Sequence, residues 1–147
     1  MSKVDPDQLL IERVDDDAAF DHVFAIRQEV FVQEYSIDHE ADYDGFDHLA
    51  HHYLMRVSDE PAATARWRRV QTGGRYRIER LAVRKKFRRQ GIGTALLHAV
   101  LQDIPKDKEI FLHCPIDSAE FFLVMGFEKT GFVFEEAGID HIKLVFS

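Results

Sequence analysis

Cysteine is almost absent from this sequence: Cys114 is the only one in 147 residues. That excludes an internal disulfide and a zinc site built from several thiolates. Long apolar runs are missing too. No stretch approaches the roughly 20 apolar residues of a membrane span, and no charged, apolar, small-residue succession marks a secretory signal. Internal repeats, long linkers and low-complexity tracts are likewise lacking. These absences lead to the expectation of a single domain over 1–147, closing one core without staples, in a reducing cytoplasmic setting. With 46% apolar and 31% charged residues, the composition is that of a soluble globular protein.

Positive charge is in short supply overall, the net charge being −7, but it is concentrated. Eleven of the 19 basic residues lie between Arg66 and Arg89, with Glu79 the one acid among them. Such an asymmetry suggests a polyanionic ligand at one edge, while the acidic remainder would attract a cation. Most of these arginines can equally be read as solvated strand faces.

Periodicity predicts one continuous α/β pattern. Gln8 to Val14 is a short apolar-rich strand, followed by Asp15, Asp16 and Asp17, which can cap a helix over Asp17 to Val32. The acidic stretch from Tyr35 to Asp47 is irregular. Strands are predicted at His48 to Val57, Ala63 to Gln71 and Arg75 to Val83, punctuated by Asp59-Glu60-Pro61 and Thr72-Gly73-Gly74 and so forming an antiparallel meander. A helix over Gly91 to Asp103 follows, then a strand at Glu109 to Cys114 and a helix at Asp117 to Met125. Two strands, Glu128 to Glu135 and Ile139 to Phe146, flank an Ala137-Gly138 turn. The order is β-α-β-β-β-α-β-α-β-β, a mixed α/β fold that is neither doubly wound nor all-antiparallel.

The densest chemistry lies in "FRRQGIGTALL", Phe87 to Leu97. The first turn of a helix carries N–H groups without intrahelical partners and a partial positive charge. Gly91 and Gly93 let an anion approach that backbone closely, Arg88 and Arg89 add charge, and the Thr94 hydroxyl can donate. It is neither a Walker loop nor a dinucleotide fingerprint, for the required lysine and third glycine are missing. The same residues would also serve as a plain helix start.

Ile78 to Leu97, "IERLAVRKKFRRQGIGTALL", resembles the acyl-CoA-binding motif of the GNAT N-acetyltransferase superfamily, Arg/Gln-x-x-Gly-x-Gly/Ala behind an apolar strand. "SAEFFLVMGF", from Ser118 to Phe127, is similar to the family's late helix ending in Gly-Phe. "IRQEVFVQE", "EADYDGFDHLAHHYL" and "EAGIDHIKL" resemble a small bacterial branch of the superfamily. The resemblance implies a largely antiparallel GNAT-type sheet flanked by helices, and acetyl-CoA (coenzyme A) as cosubstrate. It implies that strand Arg75–Val83 splays from Glu109–Cys114, with the pantetheine arm in the opening, met by backbone groups at Leu81, Ala82 and Val83. The N–H groups of Arg89, Gln90, Gly91, Ile92, Gly93 and Thr94 would hold the pyrophosphate, and Phe122 would pack against the pantetheine.

Transfer to an amine in such a site is direct and needs a base, because an ammonium has no lone pair. Glu79 is the first candidate: strict alternation would put it on one strand face with Leu81 and Val83, and a salt bridge to Arg66, Arg77 or Arg80 is its alternative reading. His141 is the second. Relatives often carry a tyrosine where this chain has Phe122, which cannot donate a proton. Cys114 reads as a small buried hydrophobe. Glu40, Asp42 and Asp44 imitate the first half of a calcium loop, but the twelfth position is His51, so no metal is expected.

The expected activity is acetyl transfer to a small primary amine, attracted by the acidic N-terminal third. A catalytically silent CoA-binding module is the alternative reading of the missing tyrosine, and an autoinducer-synthase-like acyltransferase is a further one. Neither nucleic acid nor membrane is an expected partner, and a homodimer is left open.

Overall fold

The computed structural model describes residues 5–70 and 73–147. Seven strands form one sheet in the order β1-β2-β3-β4-β5-β7-β6. The first four, β1 (Leu9–Arg13), β2 (His51–Val57), β3 (Glu60–Arg69) and β4 (Tyr76–Val83), are antiparallel neighbours, the meander expected from the turn residues. The β2–β3 turn falls at Ser58-Asp59, so Pro61 lies inside β3, and Gln71 and Thr72, expected to end that strand and open the next turn, lie outside the described residues. β5 (Ile110–Pro115) runs parallel to β4, and β6 (Phe127–Glu136) and β7 (Ile139–Phe146) complete the antiparallel far side.

Helices cover both faces. α1 (Asp17–Arg27) is capped by Asp16, whose carboxylate accepts from the Ala19 N–H at 2.7 Å. The helix does not end at Val32 as its periodicity predicts. It widens into a π-helical stretch over Gln28–Glu34, closed by a Tyr35 N–H to Val30 C=O bond at 3.1 Å, a spacing of five residues. The acidic stretch contains one further helical turn, α2 (His39–Asp42), with Asp38 accepting from the Glu40 N–H. α3 (Ile92–Asp103) and α4 (Ala119–Val124) lie on the opposite face of the sheet from α1.

The larger core lies under α3 and α4. Leu96, Leu97 and Val100 of α3 pack on Ala63, Ala65, Trp67, Ile78 and Leu112 of the sheet, with Leu144 behind. A smaller apolar cluster, Val23 and Ile26 of α1 against Leu54 and Ala82, holds the other face. Alternation along β3 explains the division: Ala63, Ala65 and Trp67 face α3, and Thr64, Arg66 and Arg68 face the other way.

Candidate active site

Strands β4 and β5 pair over three rungs only, Tyr76 with Ile110, Arg77 with Phe111 and Ile78 with Leu112. Beyond Ile78 the two strands part, and the β5-facing edge of β4 from Glu79 to Val83 has no strand partner. A bulge sits at the same place. On the β3 side Arg66 faces Glu79 and Thr64 faces Ala82, so Arg80 and Leu81 together oppose Ala65. Arg80 adopts φ +57°, the left-handed region that costs a non-glycine residue about 1–2 kcal/mol.

The bulge corrects one expectation. Leu81 and Val83 pack on the α3 side of the sheet, whereas Glu79 points to the opposite face, beside Arg66 and Arg68. Counting by twos along β4 fails because the extra residue at Arg80 shifts the alternation. Glu79 and the leucine are therefore separated by the sheet. Ala82 goes to the α1 side, in the small cluster with Leu54.

At the mouth of the opening stands the N-terminus of α3. Gly91 is its N-cap residue with φ +82°, and no side chain caps the first turn, unlike α1. The N–H groups of Ile92, Gly93 and Thr94 are thus left for an external acceptor. Gly93 places the helix close to its neighbours: a Cβ there would come within 3.4 Å of Phe121 and Val83. Arg89 holds φ +63° just before it. The basic connector is less free than its sequence implies. Arg88 is held in a two-bond fork by Glu34 of the π-helical stretch, both contacts at 2.6 Å, and its Nε donates to the Val83 carbonyl at 2.9 Å. Arg84 is paired with Glu29 and Glu60, Lys86 with Glu60, and the Gln90 amide donates to the Lys86 carbonyl. Among the described residues, Lys85 and Arg89 are the connector cations without an ion-pair partner.

Phe122 is buried, edge-on to Phe121 and Phe127. It is the neighbouring Phe121 that stands against Gly93 and Val83. Cys114 lies in the α3-side core, and burial pushes its thiol up to about 11, so it remains protonated and inert at neutral pH.

The opposite face of the sheet carries a network of ions. The acidic connector folds back over β3 and β4 and delivers its carboxylates to buried arginines. Arg27, 1% exposed, donates to Asp42 and Asp47, and Arg66, fully buried, to Asp44, Asp47 and Glu79. Arg80 reaches Asp42 and Asp44 at 3.2 Å. Of the N-terminal carboxylates expected to attract a cationic acceptor, Asp42, Asp44 and Asp47 are occupied by these guanidinium groups. Glu79 receives Arg66 at 2.6 Å, Arg68 at 3.0 Å and Arg77 at 3.1 Å, with its side chain 3% exposed. Burial alone would raise its pKa, but Arg68, Arg66 and Arg77 together bring it below the ordinary carboxylate value.

From Arg77 the network crosses to the far strands. Its Nη2 lies 3.1 Å from His113 Nδ1 and 3.5 Å from Glu136 Oε1. Arginine can only donate, so His113 Nδ1 accepts from Arg77 when its ring hydrogen is on Nε2; the same Nδ1 faces Glu136 Oε1 at 3.8 Å and serves that carboxylate when it carries a proton. On β7, His141 Nδ1 sits 2.7 Å from the Ile139 carbonyl, an acceptor, which leaves the Nε2 lone pair free, 3.6 Å from Glu136 Oε2. Glu79 and His141 are thus not in contact. They are joined through Arg77 and Glu136 across β4, β6 and β7. His113 was invisible in sequence because a lone histidine in a strand carries no motif. Only the three rungs of β4–β5 pairing bring it next to Arg77.

These carboxylates make stability acid-sensitive. At Asp44 burial would raise the pKa, but Arg66, the Phe46 N–H and Arg80 lower it from 3.8 to about 2. The His113 ring, with Arg77 and His141, holds Glu136 at about 2 instead of 4.5, against the effect of burial. Both groups have lower pKa values folded than unfolded, so the unfolded chain binds more protons as pH falls. Their stabilisation is complete above about 4.5 and is lost progressively toward pH 2. Urea midpoints should fall most steeply over that interval, and a midpoint that does not change there would contradict the pairing described.

Comparison with known proteins places this arrangement. Residues 13–147 match the family model described as "Acetyltransferase (GNAT) domain". The Bacillus subtilis protein YyaT is 29% identical over 138 residues, covering 90% of this chain and 91% of that one. The crystal structure of ElaA from Escherichia coli superposes with a TM-score of 0.85 at 23% identity, over 95% of this chain and 99% of that one. A GNAT family acetyltransferase from Elizabethkingia anophelis, solved with acetyl-CoA bound, has a TM-score of 0.68 at 17% identity, over 95% and 98% of the two chains.

Proposed function

Because the chain belongs to the GNAT acetyltransferase family, we propose that it transfers the acetyl group of acetyl-CoA directly to the nitrogen of a small primary amine. The observation that carries this reading is the parting of β4 and β5 beside an uncapped α3 N-terminus. Open strand edge and free helix-end donors are what a pantetheine arm and its pyrophosphate require. The pyrophosphate is assigned to the N–H groups from Arg89 to Thr94, with Lys85 and Arg89 as the available cations. Backbone groups of Leu81, Ala82 and Val83 are assigned to the pantetheine and to polarising the thioester carbonyl.

In this reading the amine approaches from the face opposite α3. Its lone pair attacks the carbonyl carbon, a C–N bond forms, and the C–S bond breaks to release CoA thiolate, which takes its proton from water because Phe122 has none to give. The proton acceptor is better assigned to His141 than to Glu79. Glu79 is enclosed by three arginines and weakly basic, whereas His141 uses Nδ1 on the Ile139 carbonyl and keeps Nε2 without a hydrogen-bond partner among the described residues. His141→Gln should lower kcat/KM by roughly 100-fold and remove the acidic limb of its pH profile. An unaltered acidic limb would exclude His141.

The overall reading is tested by a screen of primary amines with acetyl-CoA, following free thiol. Thiol release that depends on an amine supports it. Tight CoA binding with no release for any amine would instead support a silent CoA-binding module, the reading favoured by the missing hydroxyl at Phe122.

A further inference from the structure

The acceptor side of the opening is not acidic. A cavity of about 500 Å³ lies on the face away from α3, at the closed end of the β4–β5 opening. Its floor is Phe111, paired with Arg77 on the rung just before the last, and Phe46 closes one side. Four permanent cations line it, Arg68, Arg75, Arg77 and Lys143, together with His113, and no carboxylate does so among the described residues.

Three carboxylates outside the lining neutralise these cations: Glu79, Glu109 and, at 3.5 Å from Arg77, Glu136. Glu79 serves Arg68 and Arg77 as well as Arg66. Glu109 serves both Arg75, at 3.3 Å, and Lys143, at 3.1 Å. Donor capacity is left over: Arg68 uses Nε and Nη2 on Glu79, and its Nη1 has no partner among the described residues. Arg77 Nε is buried and lies 3.1 Å from Glu79 Oε1, but out of line, so it makes no hydrogen bond. Half-buried guanidinium groups with the Arg68 Nη1 left over, beside aromatic side chains, make a site for a planar anion on an apolar body.

We infer that the acceptor amine carries a carboxylate, bound by Arg68, Arg77 and Lys143, with its apolar part beside Phe111 and Phe46, whose rings already carry Arg75 and Lys143 and Arg68 respectively. This rests on the acetyl-transfer reading above and specifies its substrate class. The geometry limits the molecule further. Successive residues of a strand rise by about 3.3 Å, and the Arg77–Phe111 rung adjoins the last rung before the strands part. An amine placed at the opening and a carboxylate at the cavity are thus separated by only a few bonds, as in an amino acid. A cavity of this volume accommodates an aromatic one.

The test uses matched pairs that differ only in the carboxylate: L-phenylalanine with 2-phenylethylamine, and L-tryptophan with tryptamine. With acetyl-CoA, the carboxylate-bearing member should have kcat/KM higher by about tenfold or more, the size of one half-buried ion pair. Lys143→Gln should reduce that ratio several-fold. In parallel, calorimetry with the full chain and CoA compares N-acetyl-L-phenylalanine with N-acetyl-2-phenylethylamine, and the acid should bind about tenfold more tightly. Equal or reversed preference within the pairs, in turnover or in calorimetry, overturns the inference. No turnover with a preserved calorimetric preference keeps the anion site and rejects acetyl transfer.

Discussion

A Glu79→Gln variant is expected to unfold roughly 10 °C below the unaltered chain. The carboxylate is the shared counter-charge of Arg66, Arg68 and Arg77, two of which are buried or nearly so. Glutamine keeps the shape and removes the charge, leaving these guanidinium groups short of compensation in a poorly solvated place. Breaking a buried ion cluster by deleting one partner costs about 3–5 kcal/mol. For a chain of this length each kcal/mol moves the melting midpoint by roughly 2–4 °C. Thermal melts followed by circular dichroism measure this directly. The activity of the variant, taken well below its melting range, separates the two roles of Glu79. If it only organises arginines, the acidic limb of the pH–rate profile persists. If it is the base, the limb disappears.

A Gly91→Glu variant is expected to lose at least about 100-fold in CoA affinity. Its carboxylate would stand at the end of α3 where unpaired N–H groups and the helix dipole favour an external anion, and it would occupy that place itself. Gly91 also holds φ +82°, so any L-residue with a Cβ adds about 1 kcal/mol of strain. Gly91→Asn supplies the control, since asparagine tolerates the left-handed region without adding charge. The expected calorimetric order is unaltered chain, then Asn with a modest loss, then Glu with no measurable binding. Full affinity in the Glu variant would remove α3 from pyrophosphate binding.

The sequence made the fold legible wherever one face of an element is apolar. β7 agrees at both ends, and α3 agrees once Gly91 is taken as its cap, because Leu96, Leu97 and Val100 must meet the sheet and glycine marks the start. The path of the chain became unreadable where polar contacts decide it. The π-helical stretch after Arg27 and the helical turn at His39–Asp42 exist because Arg27, Arg66 and Arg80 draw Asp42, Asp44 and Asp47 inward. An acidic run has no periodicity that reports such partners. The candidate site divides in the same way. The part proposed for the acetyl donor rests on local features, the glycines and the preceding apolar strand. The part proposed for the acceptor joins Arg77, His113, Glu136 and His141 from four strands, and no spacing along the chain connects them.

The extra residue at Arg80 has a bearing on how such an enzyme diverges. Arg77, Glu79, Leu81 and Val83 are all odd-numbered, yet the first pair belongs to one side of the sheet and the second to the other. Five consecutive positions, Glu79 to Val83, therefore encode two independent surfaces with a change of parity between them. Substitutions before the irregularity alter the arginine-lined face while the apolar face after it stays constant. Deleting Arg80 would restore plain alternation, with Glu79, Ala82 and Val83 still opposite Arg66, Thr64 and Ala63, and would remove the contacts of Arg80 to Asp42 and Asp44.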